Sequence, residues 1–89
     1  MAQHLDAVKR NKQNEKRRLR NRHYRATMRS QLKKVRAAVE GGDVEKATAE
    51  LNKAVSIIQR LTTKNILHRR TAARKVSRLY KAVNGLRAA

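Results

Sequence analysis

The stretch MRSQLKKVRAAVEGGDVE, Met28–Glu45, decides the fold. Met28, Leu32, Val35 and Val39 recur at i, i+4, i+7 and i+11, which puts all four within about 60° of arc on a helix turning about 100° per residue. That narrow apolar stripe stops at Glu40-Gly41-Gly42-Asp43. A glycine there supplies the left-handed residue that ends a helix, Asp43 can cap the next one, and Glu45 suits the positive end of its first turn. A connection this short sets the two helices side by side and antiparallel.

Downstream, Val44, Ala47, Leu51, Ala54, Val55, Ile58 and Leu61 hold a seven-residue rhythm for about two and a half heptads, enough for bundle packing and too short for a free-standing coiled coil. Thr62-Thr63-Lys64-Asn65 is a softer break, with Asn65 suited to a left-handed helix end or a cap. In the third helix the inward positions are expected to be Ala72, Ala73, Val76, Leu79, Tyr80, Val83 and Leu86, before Asn84-Gly85 weakens its end. Upstream, residues 9–27 offer only Leu19, Tyr24 and Ala26 as apolar side chains and cannot be core. Because they contain neither Gly nor Pro, helix 1 is extended back to about Asp6, a rod of about 50 Å.

The expected fold class is therefore all-α. It is a three-helix antiparallel bundle in a single domain over residues 1–89, with helix 1 at about 6–40, helix 2 at about 43–62 and helix 3 at about 66–84. A long basic N-terminal arm, residues 6–27, projects from it. With little to pack on, residues 1 to about 20 are expected to lack fixed structure in the free protein and to order on a polyanion.

Charge carries the functional reading. Of the 24 Lys and Arg residues, thirteen lie between Lys9 and Arg36, against two acids, Asp6 and Glu15, in the first 36 positions. Residues 37–63 hold three basic and four acidic side chains, and residues 64–89 hold eight basic and no acidic ones. A net charge of +18 on 89 residues repels itself in any compact state, so its physical use is to neutralise something far more negative, and nucleic acid is the default partner.

Other classes fall away. The absence of cysteine excludes disulfides and thiolate metal sites and fits a cytoplasmic protein. Apolar runs reach only three residues, as at Ala37–Val39, so no membrane partner is expected. Ser30, Ser56 and Ser77 lack a nucleophile context, no Gly-rich loop could cradle a phosphate, and no ligand set suggests a metal or cofactor, so no enzyme is expected. Tyr24 and Tyr80 are too isolated to form a base-stacking platform.

On a helical wheel with Met28 as origin, Arg10 falls at ~0°, Arg25 at ~60°, Arg18 at ~80°, Arg22 at ~120°, Lys12 at ~200°, Lys16 at ~240°, Arg20 at ~280° and Arg17 at ~340°. With Lys9, they surround the arm. Charge on every side suits a crevice in folded RNA better than one duplex groove, and arginine forks bind phosphate oxygens bidentately. None of Arg17, Arg18, Arg22 and Arg25 is one of the apolar stripe residues, so their loss is expected to weaken binding and spare the bundle. A second cluster, Lys64, His68, Arg69, Arg70, Arg74, Lys75 and Arg78, occupies the start and outer face of helix 3. His68 reads equally as a structural residue or as a donor to phosphate. A histone-like, DNA-compacting protein would share these electrostatics.

The motifs resemble one family. Glu15-Lys16-Arg17-Arg18, then Asn21, Arg22, Arg25, Met28 and Arg29, Lys33-Lys34-Val35, Gly42-Asp43, Leu67-His68, Thr71-Ala72-Ala73-Arg74-Lys75 and Ser77-Arg78-Leu79 are together similar to the bacterial small-subunit ribosomal protein numbered twenty in that subunit. Two positions depart from the usual pattern, Asn65 where Gly is common and Arg70 where Asn is common. The resemblance implies a long first helix in a three-helix bundle, early binding to 16S ribosomal RNA at the base of the small subunit, and a structural role in joining RNA helices. It adds Asn21, Arg29 and Lys33 to the expected RNA-binding residues. It further implies a monomer within the ribosome, alongside other small-subunit components, without cofactor or catalysis.

Overall fold

The structure, a computed structural model, describes residues 2–88, and within them the chain is three helices: α1 (Ala2–Glu40), α2 (Val44–Thr63) and α3 (Arg69–Ala88). The molecule measures 67 × 21 × 14 Å, a long axis set by the 39 residues of α1, which at about 1.5 Å per residue span about 58 Å. α2 and α3 have 20 residues each, so they can cover only the C-terminal half of α1. Residues 4–20 are exposed throughout, and the arm leaves the bundle as a bare helix. No helix is long and apolar enough to cross a membrane.

The core is aliphatic. Met28, Val35 and Ala38 from α1 meet Ala47, Leu51, Ala54, Ile58 and Leu61 from α2 and Ala72, Leu79 and Val83 from α3. Burying a Leu, Ile or Val side chain of this kind stabilises by roughly 1.5–3 kcal/mol each. α2 is the central element, since both other helices pack mainly on it and touch each other little.

Both turns end their helices the same way. Gly42 takes φ +74°, its N–H reaches the Val39 carbonyl at 3.1 Å, and the Asp43 N–H reaches Ala38 at 3.3 Å. At the second turn Asn65 takes φ +60°, its N–H donates to Thr62 at 3.0 Å, and the Ile66 N–H donates to Leu61 at 2.9 Å. This paired pattern satisfies carbonyls that a helix end would otherwise leave unbonded. Asp43 then caps α2, its side chain accepting the Lys46 N–H at 3.1 Å.

Several details differ from the sequence-based expectation. α3 begins at Arg69 instead of about residue 66, because Ile66 and Leu67 are buried in the turn, where they close the end of the core. It also runs through Asn84-Gly85 to Ala88, and α1 starts at Ala2, ahead of Asp6. Val44, the first residue of α2, is exposed, and so are Ala73 and Tyr80 (44%) in α3, which has essentially one neighbour and needs only a narrow stripe. Conversely, Gln31 and Ala38 are buried. The Gln31 amide donates to the Glu50 backbone carbonyl at 3.0 Å and to the Glu50 carboxylate at 2.5 Å, fixing the register of α1 on α2.

The two glycine environments give opposite expectations. A Cβ at Gly42 would meet no atom within 4 Å, so Gly42→Ala should cost about 1 kcal/mol through its left-handed backbone alone. Gly85 lies inside α3, equally uncrowded, and Gly85→Ala should stabilise by roughly 0.5 kcal/mol. Urea unfolding followed by helical circular dichroism should place the parent between the two variants.

Candidate nucleic-acid interface

Two basic regions are built by different means. In the arm, helical repetition alone sets the geometry. Asn14, Arg17, Arg18, Asn21, Arg22, Arg25 and Arg29 line one open groove along α1, and Gln13, Lys16, Arg17 and Arg20 line another. Among the described residues the arm's cations meet a single carboxylate, Glu15, 4.0 Å from Arg18 with both side chains largely exposed. Such a pair is worth little in water, so the positive charge of the arm stands uncompensated. Lys9, Arg10 and Lys12 lie farther out along the same exposed segment, and Lys33 is exposed beside the bundle.

The second region is built by the α2–α3 turn. Burial of Ile66 and Leu67 pins this turn to the core, and Arg25, at the root of the arm, donates to the Ile66 carbonyl at 3.0 Å. Lys64 does not join the outer face of helix 3 as expected; it is the C-cap of α2, and its ammonium sits 5.2 Å from the centre of the Tyr24 ring. A cation over an aromatic face contributes roughly 0.5–1 kcal/mol at an exposed site and ties the turn to α1 a second time.

His68 resolves into a structural role that leaves one side available. Its carbonyl accepts the Ala72 N–H at 2.9 Å and its Nδ1 accepts the Arg70 N–H at 3.1 Å, so it is the N-cap of α3. With Nδ1 accepting, the ring hydrogen sits on Nε2 and is free to donate outward. Arg25, Asn65, His68 and Arg69 thus line one groove together with Thr62, Ile66 and Leu67. Beyond it, Arg70, Arg74 and Arg78 are exposed at four-residue spacing along α3, whereas Lys75 is half-buried.

The structure therefore brings Arg25 together with His68 and Arg69 and leaves Lys9–Arg20 apart from them on the arm. Asn14 and Asn65, which are not among the expected RNA-binding residues, line the same grooves. Asn14 was detectable as the residue one heptad before Asn21. The bond from Arg25 to Ile66 had no signal, because it joins residues 41 apart through a main-chain carbonyl. By sequence Arg25 groups with Arg17, Arg18 and Arg22 apart from the apolar stripe residues, and that bond ties it to the α2–α3 turn as well.

No group of three or more metal-ligating side chains exists among the described residues. What the fold and surface define is a small, basic, all-α protein whose positive charge stands on an exposed helical arm and beside a pinned turn. Comparison with known proteins makes this specific. The sequence profile of ribosomal protein S20 matches residues 2–84, and the chain belongs to that family, which is structural and not enzymatic. The small ribosomal subunit protein bS20 of Trichlorobacter lovleyi is 50% identical over 86 residues, covering 97% of this chain and 99% of that protein. Those of Syntrophotalea carbinolica and Geobacter sulfurreducens are 49% identical over 84 residues and 45% identical over 86, covering 94% and 97% of this chain and 97% and 99% of theirs.

The double attachment of the turn makes a local prediction. Arg25→Ala should cost about 1 kcal/mol of stability, and amide hydrogen exchange should quicken at Ile66 and Leu67 more than at the centre of α2. Uniform acceleration across all three helices would contradict that placement.

Proposed function

We propose that this chain, as a structural constituent of the small ribosomal subunit, clamps 16S ribosomal RNA between its arm and its bundle. The observation that carries the reading is the arm itself. A helix exposed along residues 4–20, bearing Lys9, Arg10, Lys12, Lys16, Arg17, Arg18 and Arg20 against Asp6 and Glu15, has no intramolecular purpose for its charge. Inserted among RNA helices, it neutralises phosphates that would otherwise repel one another. Asn21, Arg22, Arg25, Arg29 and Lys33 continue that contact toward the bundle. Lys64, His68, Arg69, Arg70, Arg74, Lys75 and Arg78 provide the second hold, with the start of α3 adding backbone N–H groups. The protein works as a monomer on the cytoplasmic ribosome, by position and electrostatics, with no covalent step.

The arm's order follows from this reading. Its helix is opposed by charge repulsion and supported by no tertiary packing, so its amides in the free protein should exchange close to the unstructured rate while those of Leu51, Ile58 and Leu61 stay protected. Adding 16S ribosomal RNA should protect the arm. Arm amides already protected without RNA would show that the helix is stable alone.

The binding experiment is competition for naked 16S ribosomal RNA at about 150 mM salt, with excess duplex DNA and unrelated folded RNA. Saturable binding that survives both competitors is expected. The variant Arg17→Gln/Arg18→Gln/Arg22→Gln should bind more weakly with a salt slope flatter by roughly two to three, and keep the bundle's helical signal. Equal loss to either competitor would instead mark a general nucleic-acid condenser.

A further inference from the structure

The charge that surrounds α1 is chemically divided. With Met28 again as origin, Arg10, Arg17, Arg18, Arg22, Arg25, Arg29 and Arg36 all fall between about 340° and about 120°, and Arg20 alone lies outside. Lys9, Lys12, Lys16 and Lys34 fall between about 200° and about 260°, and only Lys33, at about 140°, departs. One side of the helix is arginine and the other lysine. The arginine side also holds Asn14 and Asn21, which share the open groove with Arg18, Arg22, Arg25 and Arg29.

The two sides recognise different things. Guanidinium forks and primary amides have fixed donor geometry and can address the paired oxygens of a phosphate, a ribose 2′-hydroxyl or a base edge, so they respond to how an RNA is folded. Ammonium groups act as hydrated point charges and respond to the density of phosphate, whatever its arrangement. The arginine groove is also the one continuous with the bundle. Arg25 lines both it and the groove at the α2–α3 turn, and its bond to the Ile66 carbonyl holds the two in fixed relation.

Building on the ribosomal RNA reading, we propose that the Asn14–Arg29 face of α1 is the surface that discriminates folded ribosomal RNA from other polyanions, and that the lysine face supplies only general attraction. The arm is thus a two-sided wedge with one side that selects and one that merely adheres.

Charge-preserving substitution tests it. The variant Arg18→Lys/Arg22→Lys/Arg29→Lys alters three exposed positions and spares Arg25, so circular dichroism should report an unchanged bundle. Its salt slope on 16S ribosomal RNA should match the parent, while its preference for that RNA over an unrelated folded RNA should fall at least tenfold. The variant Lys9→Gln/Lys12→Gln/Lys16→Gln should lose affinity for both RNAs in proportion and flatten the slope by roughly two to three, keeping the preference. A preference retained by the arginine-to-lysine variant, or lost equally by the lysine variant, would overturn the division of labour. A parent protein with no preference at all would sink the ribosomal RNA reading itself and this inference with it.

Discussion

The contact on which the molecule depends is the packing of α2 against both other helices. α1 and α3 are strongly basic, and two such rods laid directly on each other would repel along their whole length. α2 is the one helix in which acids nearly match bases, and it lies between them. Leu51, Ile58 and Leu61, each at most 2% exposed, supply the apolar surface that holds both neighbours, while α1 and α3 scarcely meet. Glu50 adds a polar lock, accepting from Gln31 and lying 3.9 Å from Lys53. A nearly neutral centre lets a chain of this charge possess a core at all, and it confines the unbalanced charge to surfaces that a polyanion can reach.

The fold was legible where a periodic stripe meets a helix stop. Met28, Val35, Leu51 and Leu61 carry their burial in their spacing, and Gly42 and Asn65 carry the left-handed ends in their chemistry. The misses share a cause. A wheel tells which residues line up and does not tell from which side a partner approaches. α2 approaches α1 toward Gln31 and Ala38, about 60–80° from Met28, so burial shifts off the centre of the predicted stripe. For α3 the error is the reverse: with one main partner instead of two, Ala73 and Tyr80 on the stripe's flank stay outside. Ile66 and Leu67 continue a plausible helical pattern, yet the positive φ of Asn65 turns the chain before they can join a helix.

The basic surface was legible as composition and much less as geometry. Counting Lys and Arg along the chain finds both basic regions, because helical repetition needs no tertiary information to place side chains on an exposed rod. The groove at the second turn is different. It exists because a capped helix end, two buried turn residues and an arginine from another helix converge, and the sequence separates those parts by some forty positions. His68 illustrates the limit. As a residue type it reads equally as structure or as contact, and only the approach of the Arg70 N–H to Nδ1 makes it a cap whose other nitrogen faces outward.

Arg25 joins these two scales. A guanidinium carries five N–H donors, and the Ile66 carbonyl takes one of them, so the fork is oriented without being exhausted. An arginine farther out on the arm must give up most of its rotamer freedom, roughly 2 kcal/mol, when a phosphate immobilises it. Arg25 has already surrendered part of that freedom in folding, and the thin core meets that cost through the burial of Ile66 and Leu67 beside it. On the proposed reading, residues at the root of the arm are the ones whose donors are oriented before RNA arrives, and those toward its tip are left for the RNA to order. The proposed clamp would then grade its recognition by distance from the bundle, because only the C-terminal half of α1 is held by the other helices.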